Sequence, residues 1–318
     1  MAPAPGRLKR AFALIDMRSW ITLGSLLAVV LALGFWVSQK PKAPDREAHA
    51  LSSLTAADVK RIRLAQSGPA QAERAAGQSP ADNASGSGTT IELERGSEGW
   101  RLTAPFSARA DALLVERLLA ILDARSLARY PAQDLARYGL DAPLATLSFN
   151  EETFSFGAVN TMTREQYVLA RDGVYAIPLA QRTALPREAT SLISKSLFAP
   201  GETPVRFQLE TFTATLEDGR WSFAPAGDDP GPDERNGWVA AWRQASAIRA
   251  APHDGRTPVA TIAVALQGGR TISLGILQRE PELVLLRADE GIQYHFVQDT
   301  GKRLLALPGA TRGEPVNK

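Results

Sequence analysis

One block of pattern occurs twice in this chain, and that repetition constrains the fold more than any other feature. The first copy runs from about 90 to 198 and opens with TTIELERGSEGWRL, two alternating stretches around a turn that close on Trp100. Alternation of apolar and polar residues marks a strand with one face buried. DALLVERLLAILDARSLARY comes next and reads as a helix, with Leu114, Leu118, Ile121 and Leu122 on one face. Two hairpin patterns follow, LATLSFNEETFSFG and QYVLARDGVYAI, the second with an Asp-Gly turn. Pro186 to Phe198 is expected to close the copy as a helix with Pro186 in its first turn.

The second copy runs from about 204 to 307. PVRFQLETFTATLEDGRWSF closes on Trp221 after another Asp-Gly turn, and WVAAWRQASAIRA reads as an amphipathic helix with Trp238, Trp242 and Ala245 on one face. VATIAVALQGGRTISLG and ELVLLRADEGIQYHFV then parallel the two earlier hairpins. The landmarks keep their spacing: Trp100 to Trp221 is 121, Pro143 to Pro258 is 115, and both Gly157 to Gly275 and Gly173 to Gly291 are 118. Half-buried strands need a cover, and an amphipathic helix provides one. The expected body is α+β: two similar lobes, each an antiparallel sheet packed by an amphipathic helix. Trp100 and Trp221 are then core residues and not ligand cages.

Ahead of the repeat lies Trp20–Val37, WITLGSLLAVVLALGFWV, 18 residues without a charge. About 20 apolar residues span a hydrocarbon core. Tryptophan sits near both ends, and Arg7, Lys9, Arg10 and Arg18 precede the run, which orients the N-terminus inward. A cleaved signal peptide is the alternative. Its apolar region would be shorter, and a small-x-small site would follow closely. Ala48-His49-Ala50 has the A-x-A form but lies well downstream past a charged stretch. The expected order is a cytoplasmic N-terminus at 1–19, a transmembrane anchor at 20–37, a linker at 38–55, a first lobe at 56–200 and a second at 201–308, with a disordered tail at 309–318. Within the first lobe, the Val59–Leu64 alternation predicts a strand, and the Ala, Gly, Ser and Gln-rich stretch at 67–89 predicts a flexible loop.

Charge narrows the partners. The formal net charge is +2, but residues 1–40 hold five basic groups against one acidic, so the remaining 278 sum to −2. The basic pI belongs to the anchor, and a groove for nucleic acid is not expected. The chain has no cysteine, which removes disulfides, thiolate metal sites and a cysteine nucleophile.

Several motifs stand together. GWRLTAP at 99–105, RAD at 109–111 before an apolar helix, and YGLDAP at 138–143 resemble a bacterial family catalogued as domain of unknown function 4340. The resemblance extends over about 55–300 and includes an N-terminal anchor. It departs from the family in the loop at 67–89 and in the second copy, which has no YGLD. The resemblance implies an extracytoplasmic component beside ABC transporters, including those likened to gliding-motility systems. It carries over no catalytic residue. Read physically, Asp134 to Tyr138 is a short helical turn with Gly139 as its left-handed cap, and Pro143 opens the next strand.

The search for chemistry ends without a site. His49, His253 and His295 lack ligand spacing, so no zinc site is expected. His295 is expected to be exposed or hydrogen-bonded on a strand. Asp228, Asp229, Asp233 and Glu234 lack the register of a calcium loop and read as a solvated turn capping the next helix. Glu151 and Glu152 read as a hairpin turn, and ASGSG at 84–88 and Asn83-Ala84-Ser85 as loop composition. No catalytic, cofactor-binding or metal-binding residue and no cofactor are expected. The functional expectation is a non-enzymatic, membrane-anchored periplasmic component of an ABC-type transport system, with the inner membrane and permease and ATPase subunits as partners. A free-standing envelope binding or assembly protein is the alternative, and a periplasmic hydrolase a further one.

Overall fold

The computed structural model describes residues 48–67, 90–171, 173–179, 185–225 and 230–309. It begins with β1 (His49–Ala50) and β2 (Arg61–Gln66), then the hairpin β3 (Thr90–Gly96) and β4 (Gly99–Ala104). The short strand β5 (Ala108–Arg109), helix α1 (Ala112–Leu119) and a 3-10 turn at Ala120–Asp123 follow. Next come β6 (Arg125–Ser126), β7 (Arg129–Pro131), a 3-10 turn at Leu135–Tyr138, β8 (Ala145–Phe149), β9 (Glu152–Asn160), β10 (Glu165–Ala170) and β11 (Gly173–Pro178). After a 3-10 turn at Ala189–Leu192 come β12 (Pro204–Gln208), β13 (Thr213–Glu217), β14 (Arg220–Ala224) and α2 (Pro232–Arg243). The chain ends with β15 (Arg249–Pro252), β16 (Ala260–Leu266), β17 (Thr271–Gln278), β18 (Leu283–Arg287), β19 (Ile292–Phe296) and α3 (Gln298–Leu305).

The architecture is α+β, with two large antiparallel sheets and a two-stranded one, β1-β6. The first large sheet reads β5-β4-β3-β2-β8-β9-β10-β11-β7 and the second β14-β13-β12-β16-β17-β18-β19-β15. Apart from the added edge strand β5, the two orders are the same, strand for strand. Pairing also matches Trp100 with Trp221, since each lies one residue past the start of the strand leaving its hairpin. Pro143 and Pro258 each lie two residues before the strand that follows. The glycine landmarks do not superpose. Phe156 and Ile276 take equivalent places opposite Ala145 and Ala260, which leaves Gly157 and Gly275 two positions apart. The turn after Arg287 is longer than the turn after Ala170, so Ile292, not Gly291, corresponds to Gly173.

Alternation sets the inner faces. Ile62 and Leu64, Leu147 and Phe149, and Phe154 and Phe156 point into the same core as Phe207, Ile262, Val264, Leu274 and Tyr294. That core is continuous across both sheets, and residues from Ala48 onward cluster as one unit. Trp221 is buried in it, while Trp100 is half-buried at its margin with the Arg95 guanidinium 4.8 Å from its ring centroid.

Three helical expectations need correction. The run from Asp111 is helical only to Leu119, capped by the Asp111 carboxylate accepting from the Leu114 N–H at 3.2 Å. Arg125–Ser126 and Arg129–Pro131 instead join sheet edges, where ladder hydrogen bonds to β1 and β11 outweigh helix propensity. Pro186–Phe198 is not a closing helix. Only Ala189–Leu192 coils; beyond it the Ser194 N–H donates to Arg109 O at 2.8 Å and the Leu197 N–H to Ala245 O at 3.2 Å. The segment spends its backbone groups joining the two sheets. α2 starts earlier than expected, with Pro232 in its first turn, and stops before Ala245. α3 was not expected, because QDTGKRLL has too few apolar residues for a periodic signal and a glycine inside it. That glycine is needed: a Cβ on Gly301 would lie 2.6 Å from the Leu283 Cβ.

The YGLDAP stretch folds as the sequence indicates. Leu135–Tyr138 forms one 3-10 turn, and Gly139 caps it in the left-handed region at φ 63. The turn lies on the outer face of the first sheet, where Tyr138 and Leu140 pack with Val174. Gly157 makes this seating fit, since a Cβ there would meet the Tyr138 carbonyl oxygen and lie 2.8 Å from Leu140 Cγ. A backbone atom cannot rotate away. Gly157→Ala is expected to lose about 1–3 kcal/mol through overpacking, measured by urea unfolding. An unchanged midpoint would show that the turn does not depend on this contact.

Among the described residues no helix is long and apolar enough to cross a membrane. The expected anchor at 20–37 lies outside those residues, as do 1–19, the first part of the linker, 68–89 and the tail from 310.

Candidate functional site

Two polar constellations stand out, both centred on the β18–β19 hairpin. The first is a buried joint between the sheets. β5 at the edge of the first sheet presents Arg109, the arginine of the RAD motif, to the turn between β18 and β19. Its Nε lies 2.5 Å from Glu290 Oε1, and its Nη2 donates to Ser196 O at 2.8 Å, Leu197 O at 3.2 Å and the Tyr294 hydroxyl at 3.0 Å. Tyr294 in turn donates to Glu290 Oε2 at 2.8 Å. Burial pushes the Tyr294 hydroxyl far above its ordinary range, and the Glu290 carboxylate adds to the effect, so the phenol stays a donor.

Beside it lies Arg287, on the inward face of β18, with a side chain only 2% exposed. It donates to Glu202 Oε2 at 2.7 Å and Oε1 at 2.6 Å, to Leu197 O at 2.7 Å and to Asp289 at 3.0 and 3.1 Å. Glu202 also accepts from the Ala199 N–H at 2.7 Å and pairs with Arg270. Burial alone would raise the Asp289 carboxyl, but the Arg287 hydrogen bond and charge outweigh it and hold it below its ordinary value. Arg109, Arg270 and Arg287 thus face Glu202, Asp289 and Glu290, three charges of each sign. Such a network is costly to break and specific in geometry. In the first sheet, pairing puts Ala170 at the place of Arg287. Arg287 therefore has no counterpart in the first half, and the network, which draws Arg109 from the first sheet, is built where the halves meet.

The second constellation is a polar strip on the outward face of β15 and β19. His295 pairs across the ladder with Arg249, and Gln293 with Ala251. His295 Nδ1 lies 2.7 Å from Glu282 Oε1 and 3.0 Å from Arg249 Nη2. Just past β15, the Asp254 carboxyl is held below its ordinary value, chiefly by the Arg256 backbone N–H, with help from the Arg256 guanidinium and the Gln293 amide. His253 lies alongside, its Nδ1 3.9 Å from Asp254 Oδ1.

The residues weighed in the sequence are scattered more widely. His49 pairs with Ser126 in the small sheet, while His253 and His295 share one strip. His295 is hydrogen-bonded and buried. Glu151 is in the β8–β9 turn, and Glu152 accepts from the Ser52 hydroxyl at 2.7 Å. Asp233 and Glu234 lie in the first turn of α2, where carboxylates favour the helix dipole, but the cap residue is Gly231, without a side-chain cap. Asp228, Asp229 and 83–88 lie outside the described residues. Arg109 belonged to a recognised motif, yet its partner Glu290 is 181 residues away, and sequence spacing gives no sign of such a pair.

No curated protein and no solved structure matches the chain. The model of one family does, over residues 100–249, from Trp100 in β4 through Arg109 and Glu202 to Arg249 at the start of β15. Over that stretch the chain carries the domain of unknown function DUF4340, the family to which its GWRLTAP, RAD and YGLDAP motifs pointed.

Proposed function

We propose that this chain is a non-enzymatic, single-pass membrane protein of the bacterial envelope, with its N-terminus in the cytoplasm and its body in the periplasm. It serves an ABC-type transport system as an auxiliary subunit that scaffolds the transporter or binds its substrate. Its two sheets are duplicated lobes, and the partners are the inner membrane and the permease and ATPase subunits. The observation that supports this reading best is the buried joint. Arg109, Glu290 and Tyr294 fasten the halves with charge-assisted hydrogen bonds, which suits a rigid platform better than an enzyme closing over a substrate. The uncharged run at 20–37 supplies the anchor.

A free-standing envelope binding protein would have the same body without the transporter. One contact favours a periplasmic hydrolase: His295 Nδ1 on Glu282 is how a general base is oriented. Its Nε2, however, has no hydrogen-bond partner among the described residues, so the nucleophile that a dyad would activate is missing from the contact. Crosslinking and co-purification of the full-length protein from its native membrane should enrich an ABC permease and ATPase over an untagged control. Recovery of the protein alone in good yield would shift the reading to the free-standing protein.

A further inference from the structure

The two halves provide an internal control for each other. Matching strand pairing puts Val174 and Ala176 of β11 where β19 carries Gln293 and His295, in each case on the face turned away from the shared core. The fold is thus satisfied by two small apolar residues at these places. In the first half the Leu135–Leu140 turn covers that face. The second half connects β15 to β16 through 253–259, against 132–144 in the first, and has no counterpart of the turn.

The polar replacements are left unsatisfied. Gln293 is 7% and His295 4% exposed, yet Gln293 Oε1 and His295 Nε2 lack a hydrogen-bond partner, as does His253 Nδ1 beside them. Buried polar atoms are almost always paired, and three exceptions side by side, two on β19 and one just past β15, call for an explanation. Their chemistry is defined by their neighbours. The shorter contact of His295 Nδ1 is to the Glu282 carboxylate, which can only accept, so a proton belongs on Nδ1, and in the neutral imidazole Nε2 is then an acceptor. Two acceptors therefore wait for donors. Flanking charges cancel in pairs, Arg249 with Glu282 and Arg256 with Asp254, so no net charge invites an ion.

We propose that this strip binds a neutral, polyhydroxylated ligand of the saccharide class, whose hydroxyls donate to Gln293 Oε1 and His295 Nε2 and accept from Arg249 and Arg256. A hydroxyl both donates and accepts, which fits closely spaced acceptors and guanidiniums. A carboxylate ligand would meet the two acceptors unfavourably, and an ammonium would meet the guanidiniums. Arg249, whose side chain is 64% exposed, is free to move aside for entry. The site does not depend on the transport reading.

The test uses the full-length protein in detergent, titrated with glucose, N-acetylglucosamine and trehalose, with galacturonate and putrescine as charged controls. Saturable binding of at least one neutral sugar is expected by calorimetry, together with a shift of the His295 Nε2 resonance in NMR. Gln293→Val and His295→Ala install the first half's own residues, so each should keep or raise the melting temperature while weakening binding tenfold or more. Binding of none of the neutral sugars, preference for a charged control, or binding unchanged in Gln293→Val would overturn the proposal. Should His295→Ala fail to fold, the wild-type Nε2 resonance decides, since a ligand that leaves it unmoved does not occupy this site.

Discussion

Arg287→Met is expected to destabilise the protein by about 3–5 kcal/mol, the cost of removing one partner from a buried ion network. Methionine fills much of the space but gives nothing to Glu202, which loses two hydrogen bonds, or to Leu197 O, which loses one. Glu290 also loses a cation 3.4 Å away. Because Glu202 and Leu197 belong to the segment joining the halves, the loss should appear as cooperative unfolding of the whole body. Adding Glu202→Gln should restore part of the stability by removing a stranded charge. A loss under about 1 kcal/mol in urea unfolding, the range of exposed pairs, would mean that water reaches the network.

The same substitution has a pH signature. The folded value of the Asp289 carboxyl is depressed, so its contribution is complete above the unfolded value of about 3.9 and fades as pH falls through the lower folded value. The wild-type protein should therefore show an acid-side decline below about pH 4 from this group. Arg287→Met lacks the guanidinium that lowers the pKa, and its stability should fall less over the same interval. An identical acid limb in both proteins would remove Arg287 as the cause.

The hairpins and their repetition were legible because they rest on local signals, although β2, which matches β12, lay outside the first copy as read from the sequence. Alternation, Asp-Gly turns and two tryptophans at hairpin exits each lie within a few residues, and each occurs twice. The helices were read less well, for a physical reason. Residues 120–131 have helical apolar spacing, but after the 3-10 turn at Ala120–Asp123 the backbones of Arg125–Ser126 and Arg129–Pro131 complete two sheet edges, and a sheet edge is recruited by partners distant in sequence. Pro186–Phe198 failed in the same way, since its hydrogen bonds go to Arg109 and Ala245. The candidate sites were hidden more deeply. Arg287 stands in LVLLR, a stretch that reads as a strand ending in a surface charge. Only the approach of Glu202 and Leu197, 85 and 90 residues away, makes a buried arginine sustainable. His295 was expected on a strand, exposed or hydrogen-bonded, and it is there, hydrogen-bonded and buried. What the sequence could not indicate was that the matching place in the first half is Ala176, and that comparison is what marks the strip as more than packing.

Trp242→Ala should be comparably severe, at about 3–5 kcal/mol, and its effect should spread along one path. Trp242 is fully buried, with ring centroids 5.3 Å from Phe207 and 5.9 Å from Trp238, so it ties α2 to β12. Its Nε1 also donates to Leu304 O at 3.0 Å, which holds the end of α3. Alanine opens a cavity and orphans that carbonyl together. Trp242→Phe separates the two effects: it keeps most of the ring volume and loses the hydrogen bond, so it should cost only about 1–2 kcal/mol. Both variants should speed hydrogen exchange in Gln298–Leu305, because α3 has few apolar anchors of its own and leans on Leu304 and Gly301. Rapid exchange confined to Pro232–Arg243, with α3 as protected as in the wild type, would show that α3 is held by its packing on Leu283 and not through Trp242.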